Sequence, residues 1–159
     1  MTGFTLVHVL LSLLGIASGL VVLSGLCTAN PRNGWTLLFL ASTLATSLTG
    51  FLFPFHGFTP ALGVGVLSTV VLVATIAARY ALHLAGPWRW IYVVGAVVAL
   101  YFNSFVLVVQ SFLKIPALHV LAPTGTEPPF ALAQVLVLVF YIVTGILAFR
   151  RFHPAAQQK

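Results

Sequence analysis

The sequence predicts an all-α integral membrane protein with five transmembrane helices in one bundle, N-terminus outside and C-terminus inside. Three observations predict it. Charged residues make up 5% of the 159, where a soluble domain carries about a quarter. Hydrophobic residues reach 60% and the mean hydropathy is +1.13. The chain also divides into apolar runs close to the roughly 20 residues needed to cross a bilayer at 1.5 Å per residue. A surface this poor in charge does not dissolve in water.

The first run, 4–27, contains no charge and ends at Asn30-Pro31-Arg32-Asn33-Gly34, a turn cluster. A cleaved secretory leader has a basic start and an apolar core of 7–15 residues; this run lacks the first and exceeds the second. Leu26 before Cys27 also spoils the likeness to a lipoprotein cleavage box, so the run is expected to stay as a helix. The second run, 35–53, is shorter and rich in Ser and Thr. The segment 54–60 (PFHGFTP) separates it from the third, 61–83. Gly86-Pro87 stops that helix, because proline has no amide donor and glycine accepts the turn. The fourth run is 88–113. A long proline-containing loop (114–129), half apolar, is expected to lie on or dip into the membrane surface, and the fifth run is 130–149.

Orientation follows from the bias of basic residues toward cytoplasmic loops. With the N-terminus outside, Arg32, Arg79, Arg89, Arg150, Arg151 and Lys159 all fall inside, and only Lys114 falls outside. Trp35, Trp88 and Trp90 then gather at the inner interface, where amphipathic rings anchor helix ends. Seven Lys and Arg face a single acid, Glu127. Scattered between spans, these charges fit the topology rule and not a nucleic-acid patch. One cysteine, Cys27, excludes an internal disulfide and a cysteine metal cluster. No inverted repeat of the transporter kind is present.

Polar residues inside spans are costly in lipid and are expected to face protein or water. Asn103 and Gln110 share a face of span four, with Tyr92 further back. Span five carries Gln134, Tyr141 and Gly145. Span three carries Ser68, Thr75 and Arg79, and span two Ser42, Thr46 and Thr49. One stripe per helix implies a common interior. A hydrated path, a ligand pocket and a dry hydrogen-bonded bundle all fit that description. Gln110 and Gln134 put the pocket in the outer half. Arg79, about a turn from the inner end, is expected to snorkel to the headgroups. No span holds a carboxylate, the usual means of proton or sodium coupling.

His8, His56 and His119 fall on the outer side together with Glu127. Imidazole and carboxylate are ligands for Zn, Cu or Fe, and histidine holds haem axially. Interfacial histidines are also common for their amphipathic rings, and no ligand spacing links these. Gly15-Ile16-Ala17-Ser18-Gly19 is a GxxxG motif that lets another helix approach closely. Packing within the bundle and dimerisation both fit it. Ser, Thr and His are too dispersed for a nucleophile–base pair, so the sequence leans away from an enzyme.

The run from Phe53-Pro54-Phe55 through Trp88-Arg89-Trp90-Ile91-Tyr92 to Leu121-Ala122-Pro123-Thr124 and Glu127-Pro128-Pro129-Phe130 resembles small inner-membrane proteins of bacteria to which no activity is assigned. The resemblance covers most of the chain and transfers no functional residue. It implies only a bacterial cytoplasmic-membrane location. The leading expectation from the residues is a small transport, channel or ligand-binding protein, with its site among Asn103, Gln110, Gln134, Tyr141, Ser68 and Thr75. The competing expectations are a metal or haem protein using the outer histidines, and an accessory subunit binding a partner through Gly15 and Gly19. A homo-oligomer or a partner membrane subunit is expected in either case.

Overall fold

The computed structural model describes residues 3–53 and 60–153. Regular structure among them is entirely helical: α1 (Gly3–Cys27), α2 (Asn33–Gly50), α3 (Pro60–Ile76, continued by a π-helical turn Ala77–Ala81), α4 (Trp88–Lys114), the single turn α5 (Pro116–His119) and α6 (Pro128–Arg151). Four stretches are long and apolar enough to cross a membrane: Gly3–Cys27, Leu62–Ala81, Trp88–Lys114 and Pro128–Arg151. That is the mark of a membrane protein.

The remaining long helix, α2, has 18 residues, a rise of about 27 Å. Its hydropathy is lowered by Thr36, Ser42, Thr43, Thr46, Ser47 and Thr49. Thr36, Ser42, Thr46, Ser47 and Thr49 donate to the carbonyls of Arg32, Leu38, Ser42, Thr43 and Ala45, four residues back in each case. Hydroxyls satisfied on their own helix cost little in an apolar bundle. Thr43 is the exception.

Cross-helix contacts set the directions. His8 meets Thr49, Gly15 meets Thr43 and Gly19 meets Phe39, so α2 returns antiparallel along α1. Ser47–Ser68 and Asn33–Arg79 make α3 antiparallel to α2. Thr75 against Gly95 reverses α4 against α3. Phe112–Phe130, Ser104–Tyr141 and Arg89–Phe152 reverse α6 against α4. This alternation puts Arg32, Arg79, Arg89, Arg150, Arg151 and the three tryptophans at one end of the bundle. Lys114, His119 and Glu127 lie at the other.

Gly15 and Gly19 explain how closely α1 approaches its neighbours. A Cβ on Gly19 would stand 2.5 Å from Leu100 Cδ1 and 2.9 Å from the Phe39 ring. The GxxxG face is therefore filled by α2 and α4 of the same chain. Around it pack Val22, Leu23, Phe39, Leu40, Ala96, Val97 and Leu100, all buried. On the outside, α6 is buried only at Tyr141 and Ala148.

Two local details differ from the sequence reading. The third helix was expected to run regularly to residue 83, but it widens into the π-turn at 77–81. There Arg79 does more than snorkel: its Nη2 donates to Asn33 Oδ1 at 2.6 Å, and its guanidinium lies 5.0 Å from the Tyr92 ring centroid. The expected break at 54–60 begins in residues outside those described.

Candidate functional site

The polar side chains expected to share one interior are instead divided among helix seams. Ser68 and Ser47 meet between α2 and α3, Ser47 donating at 3.4 Å. Thr75 is buried between α3 and α4, packed on Gly95 and donating to Val71 O at 2.6 Å. Tyr92 is buried beside Thr36, the two hydroxyls 3.5 Å apart. Tyr141 pairs with Ser104 at 2.7 Å on the α4–α6 seam, where Gln134 Nε2 donates to Phe105 O at 3.3 Å. Gln110 is exposed: it shares Asn103's face of α4 but lies two turns nearer the helix end, and does not join it. The physical reason is that α4 packs on different helices along its several faces, so a shared period does not bring stripes to one point.

One place does gather polar atoms from three helices. Asn103 on α4 is 8% exposed and Thr43 on α2 is 2% exposed. Both face the bare backbone of Gly15 on α1. The position a Cβ would take there is 2.9 Å from Thr43 Oγ1, 3.0 Å from Asn103 Nδ2 and 3.4 Å from Ser42 Oγ. Ser12, one turn earlier on α1, donates to Asn103 Oδ1 at 3.1 Å. Thr43 Oγ1 and Asn103 Nδ2 are buried and have no hydrogen-bond partner among the described residues. Because the Ser12 hydroxyl can donate or accept, turning the amide over would satisfy Ser12 equally and leave the other amide atom facing Gly15.

A buried polar atom without a partner costs about 1–3 kcal/mol, and native structures retain few of them. Here two converge on one glycine near the midpoint of three helices, packed too closely for that glycine to carry a Cβ without displacement. The chemistry on offer is an amide donor, a hydroxyl that gives or takes, and two further serine hydroxyls within a turn. No charge is present.

Asn103 was legible as a mid-span amide. Thr43 and Ser12 were not, since their residue types match every other hydroxyl in these helices. Only the absence of a back-bond at Thr43 and the glycine opposite separate it from its neighbours. Gln134 Oε1 is also buried without a partner among the described residues, but on a separate seam.

The described histidines form no metal-ligand cluster. His8 Nδ1 lies 2.9 Å from Thr49 Oγ1, and its ring stands edge-on to Phe53. His119 is exposed at the end of α5, and His56 lies outside the described residues. No three His, Cys, Asp or Glu side chains come together among the described residues. The metal and haem expectation therefore gains no geometry here.

Glu127 has a local task at the entry to α6. It accepts from Thr124 N at 3.0 Å, Thr124 Oγ1 at 2.9 Å and Thr126 N at 3.0 Å. Desolvation works against its charge, but the hydrogen bonds from Thr124 and Thr126 prevail and hold the carboxyl at about 2, below 4.5. A depressed folded value means the ionised turn is favoured above about 4.5, and that advantage fades as pH falls through about 2. Glu127 is the sole acid, so selective ¹³C labelling gives one carboxyl signal. Its midpoint is expected near 2; a midpoint at 4.5 would show the turn does not hold the carboxylate.

No family model, curated protein or solved structure matches the chain.

Proposed function

We propose that this is an integral membrane protein of five crossings, N-out and C-in in a bacterial cytoplasmic membrane, that binds and passes a small uncharged hydrogen-bonding solute at the Asn103–Thr43 site. The observation that carries the reading is the pair of buried, unpartnered atoms, Thr43 Oγ1 and Asn103 Nδ2, converging on Gly15. A solute carrying a carbonyl or hydroxyl would satisfy Asn103 Nδ2 as acceptor and exchange a hydrogen bond with Thr43. Ser12 and Ser42 would supply the next contacts. With the sole acid in the loop before α6, nothing in the spans offers a carboxylate for proton or sodium coupling. Facilitated passage or simple binding of a neutral solute fits better.

Support for a fifth crossing is the course of α2, which returns along α1 with its hydroxyls satisfied internally. The gathering of arginines at one end supports the orientation through the positive-inside rule. A second copy or a partner subunit would find its largest uncovered surface on α6.

The test is water-edited solid-state NMR on protein labelled at asparagine side chains in lipid. Only Asn30, Asn33 and Asn103 contribute, and the first two are exposed references. Asn103 is expected to draw magnetisation from water on the timescale of those references. An Asn103 amide isolated from water while Asn30 and Asn33 respond would end the reading.

A further inference from the structure

An opening among the described residues lies elsewhere and has the opposite chemistry. It is a groove of about 370 Å³ between α4 and α6, within the roughly 300–1,000 Å³ range of small-molecule sites. Val94, Val98 and Tyr101 form one wall; Leu138, Ile142 and Ile146 form the other. The first set is spaced at four and three residues and the second at four and four, one helical stripe facing another. The groove lies over a seam that α4 and α6 close along its length, with Ser104 paired to Tyr141 and Gly145 packed on Val97. Phe112 stacks edge-on against Phe130 at one end. At the other, Arg89 Nη1 donates to Phe152 O at 2.6 Å. Gly145, whose Cβ would come 3.2 Å from Val97 Cγ1, keeps the floor shallow and smooth. Tyr101 and Tyr141, edge-on with centroids 6.0 Å apart, close the far end.

The mouth of this groove is basic. Phe149, the last lining residue on α6, lies under the Arg89 guanidinium, 5.7 Å from ring centroid to Cζ. The α6 stripe Leu138–Ile142–Ile146 continues one turn later at Arg150, which is exposed and has no hydrogen bond among the described residues. Arg151 follows it. The one acidic side chain, Glu127, is at the opposite end of α6, so these charges have no acidic side-chain partner among the described residues. An apolar slot running about 16 Å along α6 into a cluster of arginines is complementary to an amphiphile with an anionic head.

We propose that the α4–α6 groove binds one acyl chain of an anionic phospholipid from the surrounding bilayer, with the phosphate held by Arg150 and Arg89. This site shares no residue with the Asn103–Thr43 site and stands or falls separately from it.

Native mass spectrometry of the full-length protein, delipidated and then titrated with palmitoyl-oleoyl phosphatidylglycerol or the matching phosphatidylcholine, reads the proposal directly. One phosphatidylglycerol per chain is expected to persist, about tenfold preferred over phosphatidylcholine. Arg150→Gln should cut that preference about fivefold, the effect of one basic residue near an anionic surface. Val98→Trp, which fills the groove from α4, should abolish the retained lipid. Ile142→Phe fills it from α6 and serves if the first variant does not fold. Equal retention of the two lipids, retention unchanged in a folded groove-filling variant, or a second copy of the chain protected on this face in place of lipid would each overturn it.

Discussion

Gly19→Val is expected to destabilise the protein by about 3 kcal/mol, the upper part of the range for overpacking a filled interior. The reason is geometric. The first added carbon would already stand 2.5 Å from Leu100 Cδ1 and 2.9 Å from two carbons of the Phe39 ring. Both neighbours are among the most deeply buried side chains in the protein, so neither has space to withdraw into. The helices must separate, and the whole α1–α2–α4 contact loosens. For a chain of this size each kcal/mol moves Tm by about 2–4 °C, so a fall of roughly 10 °C is expected for thermal unfolding in mild detergent. Gly34→Ala, with nothing within 4 Å of its Cβ, is the control and should change little. If Gly19 instead served a partner chain, its replacement would abolish association and leave the monomer's Tm in place.

Asn103→Leu is expected to behave in the opposite way and to leave stability unchanged or raised by about 1 kcal/mol. The substitution removes the Ser12–Asn103 hydrogen bond, and bonds of that kind between membrane helices average about 0.6 kcal/mol. It also removes Nδ2, a buried donor whose lack of a partner costs about 1–3 kcal/mol. Ser12 can turn its hydroxyl back onto its own helix, as Ser18 does on Leu14 O at 2.6 Å. The comparison favours leucine, the outcome expected if Asn103 serves the proposed solute site at some cost in stability. A loss above about 2 kcal/mol in the same unfolding assay would instead make Asn103 a structural keystone.

How much of this was legible follows from which forces act locally. Helices α1, α4 and α6 could be read because a bilayer demands long uncharged runs, and a run of that length leaves little ambiguity. Their turns could be read too, since Pro31 and Gly86-Pro87 break helices by their own backbone chemistry. The π-turn at Ala77–Ala81 left no such mark. It coincides with contacts Arg79 makes to Asn33 and Tyr92, which are distant in sequence. Single polar stripes were visible on the helices, but their period says only which residues share a face. It does not say which neighbour that face meets, and that is why Asn103 turned toward Gly15 while Tyr141 found Ser104. Gln110 shows the same limit along the axis: it has Asn103's angle but a shallower position, and it is exposed. Thr43 was hidden because its importance lies in a bond it does not make.

The most direct measurement of the central claim is solute passage through liposomes reconstituted with purified protein. Stopped-flow light scattering would follow swelling in a series of small neutral solutes such as urea, glycerol and formamide. The wild type is expected to admit at least one of them well above protein-free vesicles. Asn103→Leu, equally folded and inserted, should bring that rate down at least tenfold, whereas Gln110→Leu should leave it unchanged. Rates in wild type and Asn103→Leu that match each other, whether both fast or both at background, would contradict a solute site at Asn103 and Thr43.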